Sequence, residues 1–123
     1  MTKESLAIID ADMESLGLNY AFQRWTDDDV DTYFVGEFAG VPSDSLEAET
    51  SFILTGFTRG AFIELMDAQE KIEKLYRNGK TAILDSGTGV AVLFENTLGN
   101  LPTGVAEVQK IQINLTIKEW KVN

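Results

Sequence analysis

The sequence contains neither cysteine nor histidine. Without cysteine there are no disulfides and no thiolate chemistry, which fits a reducing compartment. Without histidine the commonest general base and the commonest transition-metal ligand are both missing. Together these absences exclude zinc sites, cysteine nucleophiles and serine–histidine triads. An enzyme would have only carboxylate, lysine or tyrosine chemistry left. No apolar run approaches the ~18 residues of a membrane-spanning helix. The stretch MTKESLAIIDADMESLG carries acids through its apolar positions, which argues against a signal peptide. The expectation is a protein that stays where it is made, without a membrane partner. A basic patch is also missing, so sequence-specific nucleic-acid binding is not expected.

What is present is one domain's worth of chain: 123 residues, 44% hydrophobic and 24% charged, enough to bury a core. The net charge is −10, and it is unevenly placed. Residues 26–50 hold eight acids (Asp27, Asp28, Asp29, Asp31, Glu37, Asp44, Glu47, Glu49) and no base, while the remainder is nearly neutral.

Apolar spacing predicts an amphipathic helix over about 3–16, with Leu6, Ile9, Met13 and Leu16 on one side. Asp10, Asp12 and Glu14 are then expected to turn away. Thr2 suits the N-cap and Gly17 the terminator. YAFQRW (20–25) has the aromatic content of a strand, TDDDVD interrupts it as a solvated turn, and TYFVGEF (32–38) resumes it. AGVPSDSLE is loop chemistry. TSFILTGFT (50–58) is a strand with Phe52 and Leu54 to one side and Ile53 and Phe57 to the other.

A second helix is expected over about 60–77, its stripe formed by Ala61, Leu65, Ala68, Ile72 and Leu75. Glu70 and Lys74 stand four apart in the favourable order, and NG at 78–79 closes the element. After a short TAIL segment and a DSGTG turn, VAVLFE (90–95) is apolar on both sides, as a central strand should be. NTLGNLPTG reads as a loop before the terminal strand. The architecture predicted is α+β: α-β-β-β-α-β-β, with a mostly antiparallel sheet and two helices packed on one face.

Candidate sites are few. Asp27, Asp29 and Asp31 alternate as in a calcium loop, but Thr32 stands where the turn glycine belongs and Phe38 where the bidentate glutamate belongs. A solvated acidic turn is the better reading, and no cofactor or metal is expected. DSGTGV lacks the lysine of a phosphate loop and opens a strand, so it reads as a β-turn. The acids give no single facing pair for glycoside chemistry. Trp25, Tyr33 and Tyr76 read as core or half-buried aromatics. No catalytic constellation survives, and no enzymatic activity is expected.

The chain closes on VQKIQINLTIKEWKVN. At ~3.3 Å per residue, 106–121 would extend ~50 Å, against a diameter near 35 Å for a compact domain of this length. The strand must therefore bend, bulge or project. A phase change between Val108 and Ile111 places a bulge near Gln109–Lys110. From there Gln112, Asn114 and Thr116 form a polar, hydrogen-bonding face. Such a face suits a contact, or simply solvent.

The strings YFVGEF, FILTGFTRG, IEKLYRNGKTAIL, GVAVLFEN, LPTG and VQKIQINLTIKEWKVN resemble the tail terminator, or tail-completion, family of minor tail proteins. These belong to long-tailed phages and prophages of Gram-positive bacteria. The likeness runs from about Leu16 to the C-terminus. It implies an α+β fold and a hexameric ring that caps the finished tail tube, stops its growth and meets the head connector. The expected partners are then further copies of the chain, the tail tube protein and the head–tail connector. The expected location is the virion tail, after the host cytoplasm. The resemblance assigns no interface residues.

From the residues themselves, the surface expected to assemble combines the acidic region with the last strand: Asp27, Asp28, Asp29, Asp31, Val41, Leu46, Lys110, Gln112, Asn114, Thr116 and Lys118. A ring needs different patches to meet, and acids with lysines supply them. A small, fairly polar chain of this kind is expected to be a monomer or a weak mixture when dilute, with a ring forming on the tube or at high concentration. Another connector or tube role, or a monomeric acidic binder that mimics nucleic acid, would show the same features.

Overall fold

The computed structural model describes residues 1–27, 29–40, 47–101, 103–104 and 107–121, with Asn100 described in its backbone only. Two helices and six strands follow in the order α1 (Lys3–Ser15), β1 (Tyr20–Phe22), β2 (Thr32–Ala39), β3 (Glu47–Thr58), α2 (Phe62–Tyr76), β4 (Lys80–Ile83), β5 (Gly89–Leu101) and β6 (Gln109–Trp120). The strands form one curled sheet in the order β1-β2-β3-β6-β5-β4. Every pairing is antiparallel except β1 with β2, which is parallel. The fold is α+β, as expected, with a mixed sheet.

Both helices cover the same face. Ile9 and Met13 of α1, with Leu65, Ala68, Ile72 and Tyr76 of α2, share one buried cluster with Phe34, Phe52, Leu54, Val90, Val92, Ile111, Ile113, Leu115 and Ile117 of the sheet. Close packing there depends on two glycines that sit opposite large residues in the β2–β3 ladder. A Cβ on Gly56 would fall 2.5 Å from the Phe34 ring, and one on Gly36 would fall 2.6 Å from the Tyr20 hydroxyl.

The helix ends follow their residues. Thr2 caps α1 by accepting from the Ser5 N–H at 3.2 Å. Gly17, with φ of 73°, lets the chain leave in the left-handed region, and the Gly17 and Leu18 amides close on the Glu14 and Met13 carbonyls. Gly79, with φ of 80°, ends α2 in the same conformation.

Several expectations are corrected. Asp12 does not turn to solvent: it is 5% exposed, accepts from the Tyr76 hydroxyl at 2.7 Å and pairs with Lys80. The ion pairs among the described residues are Lys80–Asp12 and the Met1 ammonium with Glu119, so Glu70–Lys74 is not closed. The strand expected over 20–25 stops at Phe22, because Gln23 takes a positive φ of 70°. β2 does not resume that strand but lies parallel beside it. NTLGNLPTG is not wholly a loop, since β5 runs on through it to Leu101. The long last strand pairs without irregularity along β3, and the bulges fall in its neighbour β5, between Phe94 and Asn96 and between Leu98 and Leu101. Residues 41–46 of the expected loop lie outside the described residues.

Candidate interaction face

β6 is the middle of the sheet, hydrogen-bonded to β3 on one side and β5 on the other. Its alternate residues Ile111, Ile113, Leu115 and Ile117 are buried under the helices. The period of two then sends Lys110, Gln112, Asn114, Thr116 and Lys118 to the opposite face. No helix covers that face among the described residues. The five polar residues expected to share a surface do share one, with Thr116 buried and the others half-buried.

Their side chains are tied to one another and to β5. Gln112 Nε2 donates to Asn114 Oδ1 at 2.9 Å, and Asn114 Nδ2 donates to Asn96 Oδ1 at 2.6 Å. The Thr116 hydroxyl donates to Glu95 Oε1 at 2.7 Å. Asn96 sits opposite Asn114 in the ladder, so this is a cross-strand pair held by side chains as well as backbone.

At the other end of the face an aromatic ladder connects β6 to the acidic segment. Lys110 Nζ lies 5.8 Å from the centroid of the Phe57 ring. Phe57 stacks on Tyr33 at 5.3 Å, and Tyr33 stacks on Trp25 at 5.3 Å with 10° between the planes. The reversal at Gln23 brings this about. Tyr20 and Phe22 pack against the core, whereas Trp25, beyond the turn, stacks on the open face. The Trp25 indole N–H then donates to the Asp27 carbonyl at 2.6 Å.

Asp27, Asp29 and Asp31 are all exposed. Asp27 Oδ1 accepts from the Asp29 amide at 2.9 Å, and the Asp31 carbonyl accepts from the Arg59 amide at 3.0 Å. The first is a turn-forming bond of a kind short acids make with nearby backbone; the second is a backbone bond that ties the end of the segment to the residue after β3. Among the described residues no group of three acids converges as a metal site. The structure therefore brings Asp27 and Lys110 onto one continuous surface through Trp25, Tyr33 and Phe57. Asp28, Val41 and Leu46 lie outside the described residues.

The helix-covered face holds two buried polar clusters, built for cohesion. In one, Asp12 joins α1 to Tyr76 of α2 and Lys80 of β4, and burial with the Asp12 contact raises the Tyr76 hydroxyl far above its ordinary range. In the other, Glu119 accepts from the Ser5 hydroxyl at 2.8 Å and the Thr2 amide at 3.2 Å, and lies 3.5 Å from the Met1 ammonium. Burial pushes the Glu119 carboxyl up, but the bonds from Ser5 and Thr2 and the nearby ammonium outweigh it and leave it below its ordinary value. No protein-family model and no curated protein matches the chain.

Proposed function

We propose that this chain is a structural protein of phage-tail assembly, of the tail-terminator kind, whose open sheet face is its contact with copies of itself in a ring. The observation that carries the reading is the face just described. Across β2, β3 and β6 it carries the half-buried side chains Tyr33, Val35, Ile53, Thr55, Phe57, Gln112 and Asn114, with an internal hydrogen-bond network and an aromatic ladder, and it has no cover among the described residues. Solvated sheet faces rarely need stacked aromatics and paired amides, whereas interfaces are enriched in aromatics around ordered polar contacts. The family resemblance supplies the identity of the assembly: a hexameric ring that ends the tail tube and faces the head connector.

The proposed contact is heterologous. The acidic end near Asp27, Asp29 and Asp31 and the lysines Lys110 and Lys118 occupy different places on the surface, so one protomer's patch can meet another's unlike patch and close a ring. No catalytic role is proposed for any residue. The protein would act in the virion tail, with tube and connector proteins as its neighbours.

The test is tail completion with purified chain and uncapped tubes, read by electron microscopy. An Asn114→Arg, Thr116→Arg variant, checked for native folding by circular dichroism, should leave tubes uncapped and overlong. Normal capping by that folded variant would sink the assignment of the face. Failure of the unaltered chain to bind tubes at all would sink the tail reading itself.

A further inference from the structure

A second surface lies at the sheet's edge, away from the open face. β4 is short and pairs only with 89–92 of β5, whereas β5 continues to Leu101. Along 93–101, β5 is bonded to β6 on one side and, among the described residues, to no strand on the other. None of the loop and turn backbone hydrogen bonds among the described residues engages that stretch either. Proteins commonly guard such an edge with lysine, proline or β-bulges. Residues 93–101, LFENTLGNL, contain neither lysine nor proline; bulges after Phe94 and Leu98 interrupt them, and the only charge, Glu95, is held by Thr116.

The surroundings of this edge are unfinished in the same direction. Leu98, 48% exposed, flanks it on the open face, and Met66 of α2, 47% exposed, flanks it on the helix side. A groove between α2 and the edge is lined by Phe62, Met66, Gln69, Thr97, Gly99 and Ile111. The Thr97 hydroxyl oxygen is buried and has no hydrogen-bond partner. Buried polar atoms without partners are few in folded proteins, and this one lies in a residue that lines the groove.

We propose that the 93–101 edge of β5 takes an added β-strand from a partner protein, an extended segment with alternating apolar residues and basic flanks. The free edge would supply backbone hydrogen bonds. The added strand's alternate side chains would cover Met66 and Phe62 on one side and Leu98 on the other. Charge selects the occupant. Glu73 accepts from the groove residue Gln69 at 3.0 Å, Glu70 follows Met66 by one helical turn, and Glu95 belongs to the edge itself; none is in an ion pair among the described residues, while Lys71 and Lys74 line a different hollow beside Leu16. A second copy of a chain with net charge −10 would bring more acid to this rim; a basic segment would neutralise it. This inference uses the edge of the sheet and does not rest on the ring reading.

The probe is a synthetic peptide of about ten residues, enough to span the edge, alternating valine and threonine with lysines at both ends. It is titrated into the isotope-labelled full chain and followed by NMR. Expected are shifts confined to 93–101 and the Met66 turn, with slowed amide exchange along 93–101. A peptide with two central prolines should not bind, and one with glutamates for lysines should bind at least about tenfold more weakly. The proposal is overturned if the lysine peptide leaves 93–101 unperturbed, or if the proline or glutamate peptide binds equally. It is also overturned if the edge becomes protected with rising protein concentration and no peptide, which would give it to a second copy.

Discussion

The two faces of β6 are built from neighbouring residues and obey different rules. Toward the helices, Ile113 is fully buried and touches both the sheet and helix cores. One residue on, Asn114 is half-buried and spends its amide on Gln112 and Asn96. The first face is held by burial, which is indifferent to direction, so it tolerates substitutions of similar volume. The second is held by directed bonds in a partly wet setting, each contributing little to folding. On the proposed function, that organisation serves the contact between copies.

The sharpest way to test this comparison is to truncate both neighbours. Ile113→Ala should cost about 3 kcal/mol or more by urea denaturation, whereas Asn114→Ala should cost about 1 kcal/mol or less. Equal losses would mean that the open face is as much a part of the folding core as the covered one. Next comes Glu119, the one strongly buried acid of β6. Glu119→Gln should cost about 2 kcal/mol at neutral pH, since it trades charge-assisted bonds for neutral ones.

The pH dependence has a definite sign. The folded carboxyl of Glu119 lies below its ordinary value of 4.5, so near and below that pH the unfolded chain binds a proton that the folded chain does not. Its contribution is complete above about 4.5 and fades as pH falls through the folded value. Thermal melts from pH 7 to pH 3 should therefore fall less steeply for Glu119→Gln than for the unaltered chain.

Smaller effects belong to the other clusters. Tyr76→Phe keeps the ring in the core but removes the donor to Asp12, and should cost about 1 kcal/mol. Trp25→Ala removes the outer rung of the aromatic ladder and should cost about 0.5–1.5 kcal/mol beyond its lost area, with a larger loss in tail completion. Least of all, Asp27, Asp28, Asp29 and Asp31 changed together to asparagine should alter stability by no more than about 0.5 kcal/mol. If the acids serve assembly, the same variant should cap tubes slowly and lose the salt dependence of capping. Normal capping kinetics would leave them as a solvated turn.

Legibility followed the range of the interactions. Thr2, Gly17 and Gly79 were readable because capping and left-handed turns are settled within a few residues. The burial of Asp12 could have been read as well. On a helix it falls beside Ser5, Ile9 and Leu16, within the apolar stripe, although an acid there reads as solvent-facing until a partner is known. That partner, Tyr76, is 64 residues away. The reach of β5 through NTLGNL was hidden because asparagine and glycine mark turns locally. Here they sit at bulges, where the ladder with β6 tolerates them. Trp25 and Lys110 likewise carry no signal of belonging to one ladder, since the reversal at Gln23 that joins them is a backbone choice with no glycine to announce it.

By itself the sequence determined the alternation of β6, the stripes of both helices (apart from Ala61, which is the exposed N-cap of α2, and the buried Asp12), the α+β class and the absence of cysteine and histidine chemistry. Each of these depends on residue type and short-range period. Only the tertiary structure decided that β6 lies at the centre of the sheet, that the helices cover one of its faces and, among the described residues, leave the other open, and that Trp25, beside the acidic segment, is stacked onto that open face. It also decided that, among the described residues, β4 pairs with β5 only as far as Val92. Strand order and edge pairing arise from contacts between residues far apart in the chain, and a period of two reads the same in a central strand as in an edge strand.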